Sequence, residues 1–160
     1  MLLTLASSGC GTRQEPCVDG CPDLSGAYAL QSSTPVGQCP FSPYLLAPTV
    51  QLLQSDNGRK ATLTVIDPSS HLEVQLTGDV YAPGPKDDAG TLGSFQLASS
   101  VVRAASQLDA RELVLDVSAA GSVSLREGRR VLSATLSTTD ISDGKSKGCS
   151  ISLTVTGEGT

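Results

Sequence analysis

The chain has 160 residues, of which 39% are hydrophobic, a length that fits one domain with its own apolar core. Its aromatic residues are two Phe, three Tyr and no Trp, so that core must be built from Val, Leu, Ile and Ala. The net charge of −5 would repel phosphate backbones on average, which argues against nucleic acid as a partner.

The first ten residues pass from apolar to small side chains and end at Cys10. This order is that of the end of a signal peptide, and the stretch is far too short to span a bilayer. It resembles a bacterial lipobox, in which small residues such as Ser8 and Gly9 precede a cysteine that is acylated and becomes the mature N-terminus. The alternative is that Met1 to Ala6 forms a first β-strand or a frayed terminus and that Cys10 is one more thiol.

The lipobox resemblance implies a cellular location and a division of the chain into segments. Residues 1–9 would be the remnant of a lipoprotein signal peptide, 10–22 a lipid-anchored tether without apolar period, and 23–160 an antiparallel β domain. The protein would be anchored to a membrane of the bacterial cell envelope through Cys10. Gly11, where some inner-membrane lipoproteins have Asp, favours the outer membrane, facing the periplasm or the cell surface.

The cysteine count is odd, and lipidation of Cys10 leaves four thiols. In an oxidising compartment four cysteines predict two disulfides, with three possible pairings. We favour one pairing within Cys17 and Cys21 and another between Cys39 and Cys149, because the second would join the start of the domain to its last strand. No metal site is expected, since C-x-x-x-C is not followed by a second close pair and His71 is the only histidine.

Alternating apolar and polar side chains predict seven to nine β-strands with short turns between them. A hairpin is expected across the turn at 67–70, and a second, short one across Glu127-Gly128. The stretch after Phe95 also has apolar residues at helical spacing, so a helix over 98–108 is its alternative. The predicted strands lie within 25–33, 44–54, 61–65, 72–77, 95–102, 113–118, 122–125, 131–138 and 150–156.

This succession of strands predicts an all-β fold, either a single antiparallel β-sandwich or an up-and-down barrel. Gly26-Ala27-Tyr28 near the start of the domain resembles the G-x-W motif of lipocalins, with Tyr in place of Trp. That resemblance implies a barrel that holds a small apolar ligand. A tyrosine of the first strand that simply packs in the core is the alternative explanation.

Candidates for chemistry are few. His71 is expected to be a solvated turn residue, and the carboxylates of Asp87 and Asp88 to lie in a solvated loop. The segment 140–144 vaguely resembles the start of a calcium loop but is expected to be a turn neutralised by Lys145 and Lys147.

We therefore expect no catalytic residue and no cofactor. The predicted function is a non-enzymatic lipoprotein whose β domain is an interaction or structural module with a protein partner. The alternative function is a lipocalin-like carrier of a small apolar ligand.

Overall fold

The computed structural model describes residues 14–105, 111–143 and 148–160, and these residues form eight β-strands. The predicted signal-peptide remnant at 1–9 and the predicted lipidation site at Cys10 lie outside the described residues. The strands are β1 Gly26–Ser32, β2 Thr49–Ser55, β3 Lys60–Ile66, β4 Glu73–Tyr81, β5 Thr91–Arg103, β6 Leu113–Arg126, β7 Arg129–Asp140 and β8 Ser150–Gly159.

The strands form a closed antiparallel barrel in which each strand pairs with the next along the chain. The barrel closes where β1 pairs with β8, from Tyr28 opposite Gly159 to Ser32 opposite Val155. The predicted all-β antiparallel fold is confirmed, and the structure decides between its two forms in favour of the up-and-down barrel. Among the eight described strands, closure leaves no unpaired edge to which another chain could add.

Side chains fill the interior of the barrel. Along each strand every second residue points inward, as the alternating pattern predicts. An eight-stranded barrel is just wide enough for side chains to fill it. The inward residues are mainly Leu and Val, and the largest fully buried ones include Tyr28, Phe95, Leu52, Leu63, Leu76, Leu115, Leu132 and Leu136.

The two ends of the barrel differ in their connections. The turn-bearing end carries the connections at 56–59, 82–90 and 127–128, together with the beginning of β1 and the end of β8. The loop-bearing end carries the β1–β2 loop at 33–48, the β3–β4 turn at 67–72, and the connections that follow β5 and β7. The longest connection between strands, the β1–β2 loop, therefore lies at the loop-bearing end.

Three predicted elements need correction. The strand predicted over 44–54 begins only at Thr49, since prolines at 43 and 48 interrupt the ladder before it. The alternative helix over 98–108 is wrong in its described part, because β5 continues as a strand to Arg103. The predicted strands at 113–118 and 122–125 are one strand, β6, which runs through Gly121.

Gly121 explains why β6 passes so close to β7. A Cβ at this position would come within 2.5 Å of the Ser133 carbonyl oxygen and 2.6 Å of the Ala134 Cβ. The small residues that interrupt the alternation in the sequence thus allow close approach of two backbones, and they do not end the strand.

The segment before β1 is fastened to the turn-bearing end. The Cys17 backbone N–H donates to the Val80 carbonyl oxygen at 2.8 Å. The Gln54 side chain donates to the Pro22 carbonyl oxygen at 2.9 Å and accepts from the Leu24 N–H at 2.6 Å. Residues 14–22, which the sequence predicts to be a tether, therefore lie against the barrel from their first described residue.

Candidate functional site

The β1–β2 loop covers the loop-bearing end of the barrel. Its aromatic residues Phe41 and Tyr44 are buried, with 6% and 3% of their surface exposed. The Tyr44 N–H donates to the Thr138 hydroxyl of β7 at 3.1 Å, and Val36 forms an antiparallel bridge with Ser152 of β8. On the opposite side, Leu45 forms an antiparallel bridge with Ile66 of β3. We call residues 36–48 the plug, because they close this end with two aromatic side chains and are bonded to both sides of it.

A disulfide between Cys39 and Cys149 joins the plug to the connection between β7 and β8. A second disulfide joins Cys17 to Cys21 in the segment on the turn-bearing end. The two predicted disulfides are therefore present, in the pairing that the sequence favours. The Cys39–Cys149 bond fastens the plug to the loop-bearing end of the barrel, whereas the Cys17–Cys21 bond closes a small ring within the segment before β1.

A buried ion pair lies beneath the plug. The Arg103 Nε donates to the Asp67 carboxylate at 3.1 Å, and the two side chains are 6% and 5% exposed. The Arg103 Nη1 donates to the Ser42 carbonyl oxygen at 3.0 Å, and the guanidinium lies 5.0 Å from the centroid of the Tyr44 ring. One arginine thus joins β5, the β3–β4 turn and the plug.

The environment of Asp67 keeps it ionised. Burial alone would raise the pKa of Asp67, but hydrogen bonds from the Ser69 hydroxyl and N–H, together with the charge of Arg103, lower it below its usual value. The Ser69 N–H and hydroxyl donate to the same carboxylate oxygen at 2.9 and 2.7 Å. The carboxylate is therefore an anion that accepts hydrogen bonds on both oxygens.

Asp140 forms a second ion pair at this end, with Arg111. The Arg111 Nη2 donates to the Asp140 carboxylate at 2.8 Å, and the Ser142 N–H donates to its other oxygen at 2.9 Å. The side-chain and backbone hydrogen bonds from Ser142, helped by Arg111, lower the pKa of Asp140. The predicted turn begins here, whereas the predicted neutralisation by Lys145 and Lys147 lies outside the described residues.

A small apolar cleft opens beside the plug. It has a volume of about 190 Å³, which is less than the roughly 300–1,000 Å³ of common ligand pockets but comparable with cavities that hold benzene. Two inward-facing residues of β8 form its floor. The lining residues are Leu30, Ser32, Leu45, Leu46, Ala47, Pro48, Leu153 and Val155.

The predicted solvated residues lie at the surface. His71 is exposed in the β3–β4 turn with a φ of 58°, and its N–H donates to the Asp67 carbonyl oxygen at 2.8 Å. Asp87 and Asp88 are exposed, and Asp87 accepts a hydrogen bond from the Gly84 N–H within the same loop. Within 14–105, 111–143 and 148–160 no group of three or more His, Cys, Asp or Glu residues could hold a metal ion.

Tyr28, the residue of the lipocalin-like motif, closes the turn-bearing end. It is fully buried, and its hydroxyl donates to the Leu24 carbonyl oxygen at 2.8 Å. Arg130 donates to the Ser25 carbonyl oxygen at 2.7 Å and to the Asp23 carboxylate at 3.1 Å. These contacts tie the entry of β1 to the beginning of β7.

No family model, no curated protein and no solved structure matches this chain. Eight antiparallel strands in a closed up-and-down barrel are the architecture of lipocalins, so the fold is consistent with a lipocalin-like one. The part of the chain that the structure describes contains no helix with the length and apolar character needed to cross a bilayer. Fold alone does not specify function.

Arg103, Asp67 and Arg111 are the site residues that the strand patterns leave unnoticed. A signal for the first was present: Arg103 is in phase with Phe95 and Leu97, so the period of two places its side chain inside the barrel. A charge at an inward position requires a buried partner. Nothing in the sequence identifies that partner, since Asp67 is 36 residues away.

Proposed function

We propose that the protein is a non-enzymatic, membrane-anchored lipoprotein of the bacterial envelope, and that its β domain serves as an interaction module through the loop-bearing end. Cys10 would carry the anchor. The observation that carries the proposal is the plug, which the Cys39–Cys149 disulfide and the Asp67–Arg103 pair hold in one conformation. A surface that is ordered before binding loses little conformational entropy when a partner docks.

The charged groups beneath the plug suit a structural role. A general acid at neutral pH needs a raised pKa, whereas the pKa values of Asp67 and Asp140 are both lowered. Each carboxylate accepts hydrogen bonds from an arginine side chain and from a serine. These carboxylates support the shape of the loop-bearing end and are poorly suited to proton transfer.

Exposed apolar side chains at the loop-bearing end supply contacts for a partner. Val36 in the plug and Leu72 in the β3–β4 turn are 74% and 67% exposed. Apolar side chains that lose their contact with water at an interface contribute much of its stability. Comparable side chains away from this end, Leu53 at 56% and Leu125 at 47%, provide matched controls.

The test is cross-linking of the anchored protein in envelopes of its own host. We expect Val36→Asp and Leu72→Asp to reduce the yield of a defined cross-linked adduct at least several-fold, while Leu53→Asp and Leu125→Asp retain it. Thermal unfolding of the purified variants checks that all four remain folded. Equal yields from all four variants, or loss only with the control pair, would contradict a partner site at the loop-bearing end.

The apolar cleft supports a second candidate function, a lipocalin-like carrier of a small apolar ligand. Benzene is a suitable probe, because a cavity of roughly 150 Å³ lined by apolar side chains can bind it. A carrier predicts saturable shifts of the Leu153 and Val155 methyl resonances on addition of benzene. Ala47→Trp should fill the cleft and abolish these shifts, whereas the control Ala98→Trp on the outer wall should leave them unchanged. Shifts that do not saturate would contradict the carrier function.

A further inference from the structure

The segment that follows Cys10 is described from Gln14 onward, and this described part lies at the turn-bearing end of the barrel. The Gln14 side chain donates to the Ala82 carbonyl oxygen at 2.6 Å, in the connection between β4 and β5. Three residues later the Cys17 N–H is bonded to Val80 at the end of β4. The disulfide from Cys17 to Cys21 holds the next residues beside these contacts. The position of Gln14 is therefore fixed to one rim of the barrel.

The remaining chain is too short to let the barrel move far from an anchor. Cys10 precedes Gln14 by four residues, which span at most about 14 Å when fully extended. The headgroup layer on each side of a bilayer is roughly 5–8 Å thick. An acylated Cys10 would lie at this layer, so the connection at 82–90 must remain within reach of the headgroups.

We propose that the turn-bearing end is the membrane-facing surface of the protein, lying against phospholipid headgroups, and that the loop-bearing end is displayed away from the bilayer. This inference rests on the proposed acylation of Cys10. It assigns different roles to the two ends: the connection at 82–90 and its neighbouring turns face the lipid, and the plug faces the aqueous compartment. The partner surface proposed above is then the one most distant from the membrane.

The charges of the turn-bearing end indicate how this surface is held. Among the described residues of this end, four arginine and lysine side chains are paired with acids, which weakens their attraction to anionic lipid. The tether length, and not electrostatic attraction, therefore determines the orientation. The ion pairs at this end are Arg59–Asp56, Lys60–Asp79, Arg129–Glu158 and Arg130–Asp23.

The experiment compares two positions on the lipidated protein from its host, reconstituted in phosphatidylcholine vesicles. A nitroxide is attached through Lys86→Cys at the turn-bearing end or through Ser70→Cys at the loop-bearing end; both positions are exposed. A nickel chelate on the lipid headgroups relaxes the nitroxide in a distance-dependent way. We expect relaxation several-fold stronger at position 86 than at position 70, with no change when salt is raised.

A longer tether is the matched control. About 20 Gly and Ser residues inserted after Gly11 would add a reach of roughly 25 Å and should remove most of the difference between the two positions. Equal relaxation at both positions with the natural tether would overturn the inference alone. A difference that survives the insertion would show that the tether does not set the orientation. A protein that lacks acyl groups and does not float with the vesicles would overturn the proposed function.

Discussion

Asp67 and Arg103 are the residues on which the loop-bearing end most depends. They join three segments that are distant in the sequence: the β3–β4 turn, the end of β5 and, through Ser42, the plug. Burial of two charges is costly, and their attraction repays it only while the pair is intact. Removing one partner therefore leaves the other as an uncompensated charge in the interior.

Asp67→Asn is expected to destabilise the protein by about 3–5 kcal/mol at neutral pH, since it leaves the Arg103 guanidinium buried without an anion. Urea-induced unfolding measures the change in the free energy of unfolding. Arg129→Gln, which breaks the exposed pair with Glu158, is the control and should cost at most about 1 kcal/mol. Equal costs for the two variants would mean that the buried pair has no special role.

The stability difference between the wild type and Asp67→Asn is expected to depend on pH. Because folding lowers the pKa of Asp67, its ionised form stabilises the protein above the unfolded-state value of about 4. This contribution is lost as the pH falls through the lower pKa of the folded state. The stability difference between the wild type and Asp67→Asn should therefore shrink below about pH 4. A difference that stays constant down to pH 2 would contradict a lowered pKa.

The sequence predicts which residues of a strand are buried, but it does not predict the contacts of Arg103. Tyr28 and Phe95 are predictable as core residues from the period of two, because burial alternates along one strand. The bond from Arg103 to Ser42 and the stacking of Arg103 on Tyr44 depend on segments that meet only after folding. Local sequence patterns do not show which distant segments come into contact in the folded protein.

At the scale of elements, the plug is an irregular segment that buries two aromatic side chains, Phe41 and Tyr44, while most of its other residues are partly or fully exposed. Its own backbone forms few ladder bonds, so side chains and the Cys39–Cys149 disulfide hold it in place. The sequence predicts part of it as a strand, because apolar residues at 44–46 resemble the buried strands that follow. Prolines at 40, 43 and 48 are the local signal that opposes a strand there.

Removal of the two disulfides should have unequal effects. In the chain-entropy model, the bond that spans 110 residues stabilises by about 5 kcal/mol and the bond that spans four by about 2 kcal/mol. Denaturant unfolding of Cys39→Ala/Cys149→Ala and of Cys17→Ala/Cys21→Ala measures both. The first variant should also lose hydrogen-exchange protection in the plug. A larger loss from the second variant would contradict the role assigned to the plug disulfide.

At the scale of the whole molecule, closure of the barrel was not predictable from the strand patterns. Alternation identifies most strands and their inward faces, but a sandwich and a barrel present the same alternation. The pairing of β1 with β8 separates them, and it joins residues more than a hundred positions apart. Buried Leu and Val side chains fill much of the interior, and a cleft of about 190 Å³ lies beside the plug.

Under the proposal, the two ends of the barrel have different functions. Cys10 would hold the turn-bearing end at the bilayer, and the disulfide-held plug would be presented to a partner. This arrangement depends on one covalent modification, since without an acyl group the fixed position of Gln14 has no consequence for orientation.

Intact-mass spectrometry of the protein extracted from membranes of its own host tests that modification most directly. We predict a mature chain that begins at Cys10, carries acyl groups on that residue and has no free thiol, and a Cys10→Ser variant that is absent from the membrane fraction. An unacylated chain with a titratable thiol at Cys10 would contradict the lipoprotein assignment and the membrane orientation derived from it.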